Sequence, residues 1–143
     1  MKRRYPEIPI PAVAAVIIDA DRLLLAKRRN PPSADRWSVP GGVQEVGEEI
    51  HEAVRREARE ETGLDVTDLE LLMAGDLIRC DEEGRTAYHY VILYYLAVPE
   101  GGELRPGDDV SEVGWFTLEE ARKLSLPAGM MDILLRAVGH NAS

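Results

Sequence analysis

The stretch GEEIHEAVRREAREETGL, Gly47 to Leu64, puts carboxylates where an amphipathic helix should be apolar. Glu48 and Glu49 suit the positive end of a helix dipole, and Gly63 after Thr62 supplies a C-terminal stop. A helix over about 48–62 is therefore expected. At about 100° per residue, Ile50, Ala53, Val54 and Ala58 share one apolar face. His51, Glu52, Arg55, Arg56 and Arg59 share the other. Glu57 and Glu61 fall within the apolar face and Glu60 at its edge, as i+3 and i+4 neighbours. Any fold that buries this helix must also satisfy three carboxylates. Buried carboxylates need partners, and like charges at this spacing repel. Protonation relieves one of them; three point to a shared cation, and oxygen ligands suit a hard ion such as Mg²⁺ or Mn²⁺. A solvated acidic face paired with arginines is the plain alternative.

A chain of 143 residues is expected to form one domain, 1–143, with a real core. Its apolar and charged fractions, 45% and 30%, are those of a soluble globular protein. No apolar run reaches the roughly 18 residues of a membrane span. The opening MKRRYPEIPIPAV has a basic start but no apolar segment before its prolines, so it does not read as a signal peptide. The single Cys80 excludes an internal disulfide and a zinc cluster and reads as a half-buried strand residue. A reducing cytoplasm is the expected location. A net charge of −9 argues against a nucleic-acid backbone as partner, whereas a small anionic substrate is compatible if metal ions carry the attraction.

Pro6, Pro9 and Pro11 suggest an extended arm over 1–11. AVAAVIID (12–19) and RLLLAKRR (22–29) read as strands joined at Ala20-Asp21. WSVPGGVQEVG (37–47) reads as short extended pieces around a Pro-Gly-Gly turn. After the helix, 66–80 reads as one or two strands, and YHYVILYYLAV (88–98) as the clearest buried strand. PEGGELRPGDD (99–109) reads as a loop, VGWFT (113–117) as a strand, and 118–124 and 130–139 as helices. This order implies an α/β (α+β) architecture, a mixed sheet packed between helices.

The helix extends backwards into a longer pattern. Gly42 is followed after five residues by Glu48, and after seven more by Arg56-Glu57-Ala58-Arg59-Glu60-Glu61-Thr62-Gly63-Leu64. This resembles the Nudix box, G-x5-E-x7-R-E-U-x-E-E-x-G-U with U aliphatic, and every fixed position matches. Trp37-Ser38-Val39-Pro40-Gly41 before it and Trp115-Phe116 after it extend the likeness. The resemblance implies a Nudix-type α/β/α sandwich that hydrolyses a nucleoside diphosphate linked to another moiety. Divalent ions would neutralise the pyrophosphate and hold it for attack by water. By carry-over, Glu57, Glu60 and Glu61, with the Gly41 carbonyl, would hold Mg²⁺, or Mn²⁺ in its place. Arg56 and Glu48 would form an internal pair tying loop to helix. A general base is also needed. The resemblance offers Glu57 or an acid in GDDVSEVGWF, where Asp108, Asp109 and Glu112 are candidates and Glu112 is preferred.

The box does not name the substrate. A proline about 16 residues past the box, frequent in ADP-ribose hydrolases, is replaced here by Cys80. Even so, GDLIRCDEEGR, YHYVILYYLAV and GGELRPGDD resemble compact bacterial ADP-ribose pyrophosphatase-like members. ADP-ribose or a related nucleoside diphosphate sugar is the leading expectation. A (deoxy)nucleoside triphosphate pyrophosphohydrolase of the 8-oxo-dGTP, MutT-like type is the alternative, and a non-catalytic Nudix-like sensor is the alternative of another class. Arg28, Arg29 and Arg79 are candidate phosphate donors. Trp37 and His89 are candidate ligand contacts, with His89 facing opposite Tyr88 and Tyr90, for which core packing is the plainer role. His51 reads as solvated, and Met130 and Met131 as core or dimer contacts. Many relatives form homodimers through the arm or the sheet, so a homodimer is compatible with the resemblance.

Overall fold

A computed structural model describes residues 2–142. Ten elements follow one another: β1 (Ile10–Asp19), β2 (Arg22–Arg28), β3 (Trp37–Ser38), β4 (Gly41–Val43), α1 (Ile50–Thr62), β5 (Leu64–Cys80), β6 (Thr86–Gly102), β7 (Val110–Phe116), α2 (Leu118–Ala121) and α3 (Met130–Ala142). The strands run β3-β2-β1-β6-β5, with β4 paired to β1 and β7 to β2. Only β1 and β6 are parallel, with Ile10 opposite Tyr90 through Ile17 opposite Ala97; every other pairing is antiparallel. The sheet is therefore mixed, as the order of elements implies.

Alternation along the central strands separates two cores. Ala14, Val16 and Ile18 of β1 pack with Leu23, Leu25, Tyr94 and Leu96 under Ala121, Ile133, Leu134 and Ala137 of α2 and α3. Val13, Ala15 and Ile17 pack with Leu24, Tyr95 and Ala97 under Ala53, Val54 and Ala58 of α1. Both faces of β1 are covered, which explains why its sequence is almost wholly apolar. No helix among the described residues is long and apolar enough to cross a membrane.

Several boundaries differ from expectation. The arm is shorter than 1–11, because Ile10 and Pro11 already pair with Tyr90 and Val91. Residues 64–80 form one strand with several register shifts, and these irregularities break the alternation that would identify it. β6 continues to Gly102, opposite Leu64, into what reads as a loop. The helix at 118 is a single turn held by a Thr117–Glu120 capping box. Cys80 is exposed, because it ends β5 at the outer edge of the sheet.

The C-terminus of α1 is closed by the segment after β6. Gly63 takes the left-handed conformation, φ 79°, and returns its N–H to the Arg59 carbonyl. Glu103, Arg105 and Gly107 then donate backbone N–H groups to the carbonyls of Gly63, Thr62 and Glu61 at 3.2, 2.9 and 3.1 Å. These are helix-end acceptors that would otherwise need water. The approach at Gly107 is close: a Cβ there would lie 1.9 Å from the Glu60 carbonyl oxygen. Backbone faces backbone, so neither side yields easily. Gly107→Ala should destabilise the fold by about 2 kcal/mol or more. Urea unfolding would check this, and an unchanged midpoint would contradict the docking.

Candidate active site

The box glutamates Glu57, Glu60 and Glu61 line a cavity of about 820 Å³. Glu61 is 6% exposed, and its Oε2 accepts the Gly41 N–H at 3.1 Å. Glu57 lies beside Gly42, where a Cβ would come within 2.5 Å of the Glu57 carboxyl carbon. The glycine at 42 therefore vacates the space that this carboxylate fills. Arg56 organises the loop. Its Nε and Nη2 donate to the Glu48 carboxylate at 2.6 and 3.0 Å, and Nη2 also donates to the Val43 carbonyl at 3.0 Å. Its Nη1 reaches Glu57 at 2.6 Å and Glu60 at 3.2 Å. The Arg56–Glu48 pair thus ties the loop to the helix, and the hydrogen bond from Arg56 holds the Glu48 carboxyl below its ordinary range.

Burial raises the carboxyls of Glu57 and Glu61. At Glu61, burial and then the Glu57 charge take it from 4.5 to about 8, against the opposing effect of Arg28. Asp109 adds to the negative field on both. Among the described residues no group of three or more His, Cys, Asp or Glu side chains is drawn together as a metal site. Instead Arg56 caps Glu57 and Glu60, and Glu61 turns to Gly41. The donor chemistry still fits a hard divalent ion. A buried carboxylate, Glu61, and a half-buried one, Glu57, which repel each other and offer only oxygen donors, are what such an ion would relieve. Gly41 presents its N–H, not its carbonyl, to Glu61.

This field has a consequence for stability. Glu61 holds a proton in the folded state between pH 4.5 and about 8, where an unfolded chain has released it. Stability should therefore fall as pH rises across that window, by an amount on the order of a few kcal/mol. Denaturant unfolding in EDTA at pH 5 and pH 8 would read it. Glu61→Gln should flatten the slope; an equal slope in both proteins would contradict the assignment.

The remainder of the cavity lies over the α3-side face of the sheet. Tyr88, Tyr90, Ile92 and Tyr94 line it from β6, and Met73, Leu77 and Arg79 from β5. Arg28, Asp109, Ile133 and Arg136 are among the other lining residues. Of the sequence candidates, Arg28 and Arg79 are brought there with the glutamates. Five others, Asp108 and the four described next, are not among the lining residues. Trp37 stands edge-on to Phe116 at 5.1 Å, against the core. Arg29 donates its Nε to the Val110 carbonyl at 3.1 Å. His89 points to the other face of β6 from its lining neighbours and pairs with Asp76 at 3.1 Å. Glu112 is exposed and pairs with Lys27 at 3.7 Å, its registered neighbour on β2. Tyr88 and Tyr90, expected in the core, face the cavity. Tyr94 and Arg136 carry no local signal that would single them out. His51 is exposed, with its ring against Tyr95 at 5.1 Å. Met130 is core.

A family model described as NUDIX domain matches residues 9–136. The chain is 37% identical over 117 residues to an ADP-ribose pyrophosphatase of Methanocaldococcus jannaschii, covering 82% of this chain and 67% of that protein. It is 30% identical over 134 residues to the NAD-capped RNA hydrolase NudC of Chromobacterium violaceum. That match covers 92% of this chain and 46% of the relative, so the chain spans about half the relative's length. Among solved structures, the MutT NUDIX hydrolase from Burkholderia pseudomallei superimposes with a TM-score of 0.78 at 32% identity, over 91% of this chain and 98% of that one. The mixed sheet between helices is the fold they share.

Proposed function

The chain belongs to the Nudix family of hydrolases, and from that premise we propose that it cleaves the pyrophosphate of a nucleoside diphosphate joined to another group. ADP-ribose or a related nucleoside diphosphate sugar is the substrate we favour. The observation that carries this reading is the size and lining of the cavity. Glu57, Glu60 and Glu61 share its wall with Tyr88, Tyr90, Tyr94 and Arg79, around some 820 Å³. Such a volume suits a whole nucleotide derivative rather than phosphate alone. The resemblance to an ADP-ribose pyrophosphatase supports it. A nucleoside triphosphate pyrophosphohydrolase is the second reading, favoured by the likeness to a MutT hydrolase over nearly the whole of both chains. Intact box glutamates weigh against a non-catalytic sensor.

In this proposal Glu57, Glu61 and Glu60 would hold Mg²⁺, which would supply charge neutralisation and Lewis-acid polarisation to the pyrophosphate. The chain's own residues supply the rest. Arg56 keeps the glutamate end rigid through Glu48 and Val43. Arg28 faces the acids and is suited to phosphoryl oxygens. Tyr88 and Tyr90 offer stacking surface. For the base that takes the proton from water, the geometry favours Asp109 or Glu57 over Glu112. Asp109 lines the cavity, whereas Glu112 is committed to Lys27.

The test is product identification. Pure protein with Mg²⁺ is given ADP-ribose and, separately, nucleoside triphosphates including 8-oxo-dGTP. AMP plus ribose 5-phosphate, with the triphosphates untouched, is the expected result. Nucleoside monophosphate plus pyrophosphate would move the protein to the second reading. No product with either class, in Mg²⁺ or Mn²⁺, would refute both.

A further inference from the structure

The proposed reaction leaves the segment ahead of β1 without a task. Lys2-Arg3-Arg4 is a cationic run in a chain of net charge −9. Tyr5 fastens it at several points. The Tyr5 N–H donates to the Ala87 carbonyl at 2.7 Å, and its hydroxyl donates to Asp81 Oδ2 at 2.8 Å. Its ring lies near two guanidinium groups, 5.4 Å from Arg4 and 5.3 Å from Arg85. Asp81 is itself fixed in the β5–β6 turn, accepting from the amides of Glu83 and Arg85 and from Arg85 Nε, each at 2.9 Å. The Tyr5 hydroxyl leads the contacts that hold the Asp81 carboxyl down at about 2, so the acceptor is ionised. Tyr5 also has φ 54°, a conformation a bulky residue adopts at a cost. These contacts hold it there.

The anchor sets Arg3 and Arg4 in the cavity wall, with Tyr88, Tyr90 and Arg79. Tyr90, raised by burial, feels the opposing positive charge of Arg3 and of Arg28. Arg28 bears in turn on Glu61. Arg3, Tyr90, Arg28 and Glu61 thus line one cavity, with Arg3, Arg4, Arg28 and Arg79 as its cationic part. A pyrophosphate with one phosphoryl group at the acids presents its second to the cationic part. Guanidinium groups match phosphoryl oxygens in charge and in fork geometry.

We propose that the anchored arm is part of the substrate site, with Arg3 binding the phosphoryl group remote from Glu61 and Tyr5 acting as the positioning residue that holds Arg3 there. This rests on the reading of the cavity as a pyrophosphate hydrolase site. It makes the arm a specificity element. A substrate that lacks the second phosphoryl group gains nothing from it.

The experiment compares the whole chain with Arg3→Ala, Arg3→Lys, Tyr5→Ala and Tyr5→Phe. Two readouts are taken: equilibrium binding of a methylene-bridged, non-hydrolysable ADP-ribose, and steady-state turnover of ADP-ribose with Mg²⁺. Arg3→Ala should weaken binding and raise KM about tenfold, with kcat within about threefold and an unchanged thermal midpoint. Arg3→Lys should recover part of the loss, since it restores charge without the fork. Tyr5→Ala should reproduce the KM rise with Arg3 intact, and Tyr5→Phe should fall between. Unchanged binding and KM in Arg3→Ala, beside an active wild type, overturns the inference alone. So does a Tyr5→Ala defect confined to kcat and thermal midpoint. A wild type that neither binds the analogue nor turns over ADP-ribose refutes the underlying reading, and the inference falls with it.

Discussion

Glu61→Gln should lower kcat by about 10³-fold while leaving the fold intact or more stable at pH 8. Both halves follow from one observation. The carboxyl is 6% exposed, raised to about 8, and accepts a single backbone N–H. A glutamine of the same shape keeps an oxygen for that N–H and removes a charge that is costly to bury. In folding terms the replacement is neutral or favourable. In the proposed chemistry it removes an anionic oxygen donor from the place where a divalent ion is to be held, and a neutral amide is a poor substitute. Titration calorimetry with Mn²⁺ should show weakened binding in parallel with the loss of turnover. A variant that folds, binds metal as before and retains full activity would remove Glu61 from the site.

Gly42→Ala tests the same centre without altering any charged group. The added methyl would sit 2.5 to 2.6 Å from the carboxyl carbon and both oxygens of Glu57. What must move is the end of a flexible side chain, so the fold is expected to absorb it at little cost. The pairing of Gly42 with Val13 needs no change. The displaced carboxylate, however, belongs to the proposed metal set, and misplacement by about 1 Å is enough to cost roughly 10²-fold in rate. Near-normal thermal stability with about 1% of activity is the expected pair of results. Activity within twofold of wild type would mean that Glu57 need not lie where it does. Stability lost in step with activity would point to a role for Gly42 in packing only.

The parts of this molecule written into short stretches of sequence are the parts that local reading finds. The α1 pattern sets carboxylates on a buried face whatever surrounds it, because the helical period alone decides which side chains share a face. The runs at β1, β2 and β6 are legible as strands from their own short, nearly unbroken apolar composition. What escaped depends on contacts between distant segments. Which face of β6 looks into the cavity is decided by the coverings of the sheet, so Tyr88 and Tyr90 could not be told from core residues. Asp109 stands near the glutamates because Gly107 docks on the Glu61 carbonyl. Glu112, equally acidic and three residues on, is carried off by the register of β7 with β2. Arg3 is held in place by a tyrosine whose partner, Asp81, lies 76 positions further along the chain. No window of sequence contains that relation. The same holds for β5, whose register shifts are set by its partner strand.

The sheet also works as a partition. The apolar residues of α1 rest on one face, through Val13, Ala15, Ile17 and Leu24, while the cavity is floored from the other by Tyr90, Ile92 and Tyr94. The helix that carries the acids reaches the cavity beside Gly41 and Gly42, where Val13 lines it as well. Changes on the cavity floor are therefore screened from the packing that fixes the acids. Along β6, every second position can drift to fit a new occupant while the intervening positions keep the helix seated. One strand thus carries two records that can be rewritten separately, and a chain so built can acquire a different substrate without relearning how to cut it.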